Sequence, residues 1–227
     1  MTALSRLRAE LAAGILGPIA FVVLFTVEGA VRDGYDPVRH FVSLLSLGDR
    51  GWLQITNFVV GGSLFAIFGL AIGRSWAVRS PALWVPRLLV VVGIGLVMAG
   101  LFPPDPALGY PPGTPAGLPT GVSDHGGVHY TAALAVFVGL AASMFIAARW
   151  APSGRARTWA VYSIVSGMAV LAGWLGSFMV VGPSGLIETA GLGQRIAIIA
   201  GFLWVVVLAW LELGRLRAVG PASVRAG

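Results

Sequence analysis

"SDHGGVHYTAALAVFVGLAASMFIAAR", residues 123–149, decides the fold class. From Val128 to Ala148 no side chain carries a fixed charge, and a helix needs about 20 apolar residues to cross a bilayer. The run is too long and too evenly apolar for a barrel strand, so in lipid only a helix satisfies its backbone. Working outward, runs of the same kind cover approximately residues 10–31, 55–73, 84–102, 158–181 and 194–213, beside 128–148 itself. The expectation is an all-α polytopic membrane protein, a six-transmembrane-helix bundle. Composition agrees: 57% of the 227 residues are hydrophobic and 11% charged, with mean hydropathy +0.86, whereas soluble domains carry about 25% charged residues.

Arg6 and Arg8 ahead of the first run give it the look of a secretory signal. The run is too long for one and has no small-x-small cleavage site, so it is expected to be retained. Residues 1–220 read as a single transmembrane domain and 221–227 as a short C-terminal tail. The net charge of +6 comes from fifteen arginines and no lysine. Eleven of them (6, 8, 74, 79, 87, 149, 155, 157, 215, 217 and 225) fall at one set of helix ends, and Arg32, Arg39, Arg50 and Arg195 at the other. The positive-inside rule then predicts a multi-pass protein of the inner (plasma) membrane with both termini cytoplasmic and segments 32–54, 103–127 and 182–193 outside. No arginine cluster is interleaved with aromatics on a soluble unit, which excludes nucleic acid as a partner. Without cysteine there is neither a disulfide nor a thiolate ligand, so any metal must take nitrogen and oxygen. Trp52, Trp76, Trp84 and Trp150 lie near span ends, as an aromatic belt requires. In the fifth span Ala172/Gly176 and Gly173/Ser177 repeat at spacing four, which predicts close helix packing.

Chemistry concentrates on the outer side. In "RDGYDPVRHFVSLLSLGDRGWLQ", residues 32–54, Asp36-Pro37 has the form of an N-cap and first helical position, and Gly48 that of a terminator. Val38, Phe41, Val42 and Leu45 keep helical spacing between them, predicting a short extracytoplasmic amphipathic helix in the membrane interface. Its polar face would carry Arg39, His40, Ser43 and Ser46, with Asp36 one turn before His40. Segment 103–127 holds seven of the fourteen prolines and no Arg or Lys, so it is expected to be an irregular loop and a candidate lid. Asp105 and Asp124 flank it, and Ser123 or Asp124 would cap the fourth helix. His125 and His129 stand four apart on that helix, on one face. Together with His40 they make a candidate zinc site completed by Asp105, Asp36 or Asp124. Interfacial histidines bonded to nearby carboxylates are the plainer alternative. Glu28, Gln54, Asn57, Glu188, Gln194 and Arg195 gather towards the same ends.

Two classes of function fit. One is a metal-dependent hydrolase or acyl-transfer enzyme acting on a lipid or lipid-linked substrate at the outer leaflet. There zinc on His40, His125 and His129 would activate water, Asp105 or Asp36 would accept the proton, and Arg39 or Ser43 would stabilise the oxyanion. The other is a non-catalytic membrane protein that binds a lipid headgroup or protein partner through its outer polar cluster. A transporter fits less well, since no acid lies at mid-span and paired helix breaks are missing. Bis-histidine haem fits less well again, because His125 and His129 share one helix face.

The runs "GYDPVRHFVSLLSLGDRGWLQITNFVVGG", "FPPDP" and "HGGVHYTAALAVF" resemble the domain of unknown function 998 family, six-span bacterial membrane proteins, over about residues 10–213. The resemblance implies six helices and marks Asp36, Arg39, His40, Ser43, Gly51, Trp52, Asp105, His125 and His129 as motif positions, with no reaction attached. More loosely, the residue types are similar to those of ceramidase-like and progestin-receptor-like membrane hydrolases, which gather Ser, Asp and three His around zinc. The number of spans and the order of the motifs depart from that pattern.

Overall fold

The computed structural model describes residues 2–76, 83–149, 156–179 and 188–219. They form six long α-helices: α1 (Ala3–Val31), α2 (Gly51–Ser75), α3 (Trp84–Leu101), α4 (Asp124–Ala148), α5 (Ala156–Met179) and α6 (Ala190–Val219). All six are long and apolar enough to cross a membrane, and the protein is an all-α, multi-pass membrane bundle. Each helix packs on the next in the chain, and α6 closes the ring on α1. The connections 32–50 and 102–123 therefore share one end of the bundle with the start of α6, called here the loop-rich end. Several helices outrun the apolar stretches. At the opposite end Glu10 pairs with Arg6 at 3.1 Å and with Arg74, while Arg8 donates to the Leu216 carbonyl at 3.2 Å, so the charged flanks extend the helices beyond the apolar core.

Glycines set the closest helix contacts. A Cβ added at Gly62 would stand 2.5 Å from the Gly93 carbonyl, so α2 and α3 meet backbone to backbone there. In the fifth span the sequence expectation divides. Gly173 and Ser177 face Gly193 and Ala197 of α6, but Gly176 has open space beside it and Ala172 is exposed. The core is aromatic: Phe202 of α6 lies 5.2 Å from Phe21 and 4.7 Å from Phe65, ring centre to ring centre. Large apolar side chains such as Leu16, Leu70, Val165 and Trp210 are exposed outward, as a lipid-facing surface requires. Trp52 and Trp84 are exposed at helix ends, in keeping with a belt, and Trp76 packs on the core. Trp150 and the tail 221–227 lie outside the described residues.

The segment after α1 corrects one expectation. Residues 37–48 do not form an amphipathic interfacial helix. Residues 37–39 make a turn, and Val42–Ser46 form a short 3-10 helix whose five residues are all buried. The proline-rich segment is irregular, as its composition predicts. It is nonetheless tied together: Leu108 N–H donates to Gly117 O and Gly109 N–H to Pro115 O, each at 2.8 Å. Ala107, Leu108 and Tyr110 are buried beneath the rest of it.

Candidate functional site

The turn 36–40 is held by α6. Gly191 N–H donates to Arg39 O at 3.1 Å and Leu192 N–H to Val38 O at 2.8 Å, so the turn carbonyls satisfy amides at the helix start that have no partner within the helix. Arg195 Nη1 reaches Pro37 O at 2.6 Å and His40 O at 3.1 Å, and its Nη2 meets the Tyr35 hydroxyl at 2.8 Å. The Tyr35 hydroxyl in turn donates to the carbonyls of residues 40 and 41. Burial pushes its pKa up to about 12, although Arg195 pulls the other way, so it stays a neutral donor. Beside it Glu28, 3% exposed, pairs with Arg32 at 2.7 Å and with Arg50. Arg32 also donates to the carbonyls of Leu45 and Leu47 at 3.2 and 3.1 Å. Two of the arginines assigned to the outer face therefore work as braces for main-chain carbonyls.

The sequence-predicted residues separate into three settings. Asp36 Oδ1 accepts from Val38 N–H at 2.8 Å, capping the turn. Arg39 Nη2 donates to Ala116 O at 3.1 Å, linking the turn to the proline-rich loop. His40, 5% exposed, ties the same two segments: its Nδ1 accepts from Asp36 N–H at 2.8 Å, and its Nε2–H donates to Leu108 O at 3.0 Å. That carbonyl is aimed by a left-handed Leu108 backbone, φ 59°. The ring packs with Tyr35 and Tyr110 in a triangle of centres 5.3–5.4 Å apart. Burial holds the His40 pKa below the ordinary imidazole value, against the pull of the Leu108 carbonyl and Asp36. His40 therefore has no lone pair to offer a metal without giving up the Asp36 amide.

His125 and His129 share a helix and differ in burial. His125 is exposed, its ring 5.4 Å from Phe102. His129 is 3% exposed, and its Nδ1 lies 3.0 Å from Ala99 O and 2.9 Å from Phe102 O, the terminal carbonyls of α3. Two carbonyl neighbours fix the proton on Nδ1 and leave Nε2 as the ring's acceptor. Among the described residues no three His, Asp or Glu side chains are grouped to hold a metal ion.

Ser43 and Asp105 line one cavity. It is a partly open chamber of about 300 Å³ at the loop-rich end, between the 3-10 helix, α4, α5 and the proline-rich loop. Phe41, Leu44, Leu118 and Trp174 make its walls largely apolar. Asp105 is positioned by α4: its Oδ2 accepts from Ser123 N–H at 3.1 Å and lies tight against Gly126, where a Cβ would overlap it. Ser123 Oγ caps α4 by accepting from Gly126 N–H at 3.0 Å. Ser43, 7% exposed, also lines a second, inner cavity of about 30 Å³ shared with His129 and Gln194. Gln194 Oε1 accepts from Val42 N–H at 2.6 Å, which fixes the start of the 3-10 helix. A further groove of about 830 Å³ between α3 and α4 opens on the lipid-facing surface, lined by the exposed Val91 and Ile94.

Sequence reasoning gave no role to Tyr35, Tyr110 or Gln194. The Glu28–Arg32 pair was open to it, being spaced i, i+4. The tyrosines meet only through the tertiary fold, 75 residues apart in the numbering.

Residues 15–211 match the profile of one protein family, described as protein of unknown function (DUF998). No curated protein and no solved structure matches.

Proposed function

The chain belongs to the DUF998 family, and from that premise we propose that it is a lipid-binding membrane protein, taking a lipid or lipid-linked molecule from the outer leaflet into the chamber beneath the proline-rich loop. One observation carries this reading: a partly open, mostly apolar space of about 300 Å³ with Asp105 and Ser43 on its wall, at the lower bound of the volumes typical of ligand pockets. The apolar tail lies against Phe41, Leu44 and Trp174. The polar head meets Asp105 and Ser43, so it offers hydrogen-bond donors, either hydroxyls or an ammonium, rather than a phosphate alone. The eleven-to-four distribution of arginines supports the loop-rich end as the outer one. The neighbouring charges Glu28, Arg32, Arg50 and Arg195 are occupied with one another and with main-chain carbonyls, and serve as the frame of the site.

The reading is tested by native mass spectrometry of lipid retained by the full-length protein after detergent exchange. Ala133 lines both cavities, so Ala133→Trp fills the space, and retention falls at least tenfold with the melting temperature kept within a few degrees. Asp105→Asn weakens retention of amine-bearing lipids more than of neutral ones. Undiminished retention in Ala133→Trp overturns the assignment.

A further inference from the structure

The same serine borders two spaces, and that double exposure is the feature the lipid-binding reading leaves unused. On one side Ser43 faces the chamber beneath the loop, and on the other the cavity of about 30 Å³ that holds the His129 ring and the Gln194 side chain. Ser43 and His129 are both more than nine-tenths buried. Two α3 carbonyls hold the His129 proton on Nδ1, which leaves Nε2 as acceptor. That is the tautomer a general base needs when a serine hydroxyl is to be activated. The cavity they both line has room for water, and general-base transfer can pass through one water. Gln194 uses its Oε1 on Val42 N–H, so the donors it has left at the cavity it lines are its amide N–H groups.

We propose that Ser43 is a nucleophile for the carbonyl carbon of an ester-linked acyl lipid, with His129 as its general base and Gln194 as the oxyanion donor. The inference rests on the chamber binding a lipid. His129 Nε2 receives the Ser43 proton, and Oγ forms a bond to the acyl carbon. The tetrahedral oxygen, negative at this stage, accepts from the Gln194 amide. Collapse breaks the bond to the leaving alcohol, which takes the proton from His129. Water then attacks the acyl-serine, gives a proton to His129, and releases the carboxylic acid while Ser43 recovers its hydrogen. The sum is ester plus water to acid plus alcohol, with no change of oxidation state.

The test uses the full-length protein in nanodiscs with a long-chain alkyl fluorophosphonate, which phosphonylates an activated serine and releases fluoride. The expected result is one adduct per chain, mapped to Ser43 by peptide mass spectrometry. It is absent in Ser43→Ala, unchanged in Ser46→Ala, and formed at least about 100-fold more slowly in His129→Gln, a loss in the range for a general base. Should His129→Gln fail to fold, the pH profile of wild-type labelling takes its place, and the rate must rise to a plateau as a single base loses its proton. No adduct at Ser43, with lipid retention intact, overturns the nucleophile and leaves the binding reading standing. Ser43 labelling with the same rate in a folded His129→Gln, or with no dependence on pH, overturns the base. Retention lost in Ala133→Trp together with wild-type labelling at Ser43 supports both readings. Labelling of Ser43 in a protein that retains no lipid overturns the assignment of a lipid as substrate.

Discussion

His40 is a tie between two loops. Both ring nitrogens are engaged, one by the Asp36 amide and one by the Leu108 carbonyl, and these bonds exist only for the neutral ring. A proton on Nδ1 would set two donors against each other. The native pKa lies below the ordinary value, first because of burial, so as pH falls the unfolded chain takes up the proton before the folded one does. The stability His40 contributes is complete above about pH 6.5, the free imidazole value, and declines as pH falls from there towards the native value. The groups facing the ring are Asp36, Arg39, Arg195, Tyr35 and Tyr110. Thermal melts should therefore show the wild type losing more stability between pH 7 and 5 than His40→Gln, and parallel curves would refute the tie. The other two histidines give a second contrast. Exposed His125 should change to alanine at a cost within about 0.5 kcal/mol. His129→Ala strands two buried carbonyls and should cost about 1–3 kcal/mol, which chemical denaturation of the purified protein would measure. The spacing of this pair was legible in the sequence. Their opposite burial was not, because it depends on where α3 ends.

At the level of elements, the misread segment 37–48 is instructive. Val38, Phe41, Val42 and Leu45 have helical spacing, and Asp36 does cap the turn that follows it. In a helix Val42 N–H would donate to Val38 O, and Ser43 N–H to Arg39 O. Here α6 takes both carbonyls through Leu192 and Gly191, and Gln194 takes the Val42 amide. A partner some 150 residues away in the numbering has replaced the local ladder, which local periodicity cannot foresee. Val42 and Leu45 then serve a buried 3-10 helix with Phe41 buried at its start, while Val38 stays exposed. Gly191 permits this approach, since a Cβ there would overlap the His40 carbonyl. Gly191→Ala should destabilise by about 1–3 kcal/mol, the range for overpacking. Gly176→Ala, with nothing within 4 Å of its Cβ, should be neutral or slightly stabilising. Equal melting temperatures for these two variants would show that α6 does not hold the turn as described.

On the scale of the molecule, the six spans were readable because lipid imposes one rule on every residue of a span: the backbone must bond within itself. The sequence also indicated that polarity is lopsided. It could not say that most of that polarity is spent on bracing loops, leaving Ser43, Asp105 and His129 beside usable space. The cysteine-free chain makes orientation simple to check. A membrane-impermeant maleimide should label Thr120→Cys in intact cells and Ser223→Cys only after lysis, and the reverse pattern would turn the chamber to the inner leaflet. The central claim is that the space under the proline-rich loop takes a lipid tail, and photo-crosslinking tests it most directly. The full-length protein in nanodiscs doped with a glycerolipid carrying a diazirine in its acyl chain is irradiated, and adducts are mapped by peptide mass spectrometry. Adducts on the chamber residues Phe41, Leu44 and Leu118, lost in Ala133→Trp, are the result expected. Adducts confined to outward-facing residues such as Leu16, Val165 and Trp210, with the chamber unlabelled, would contradict it.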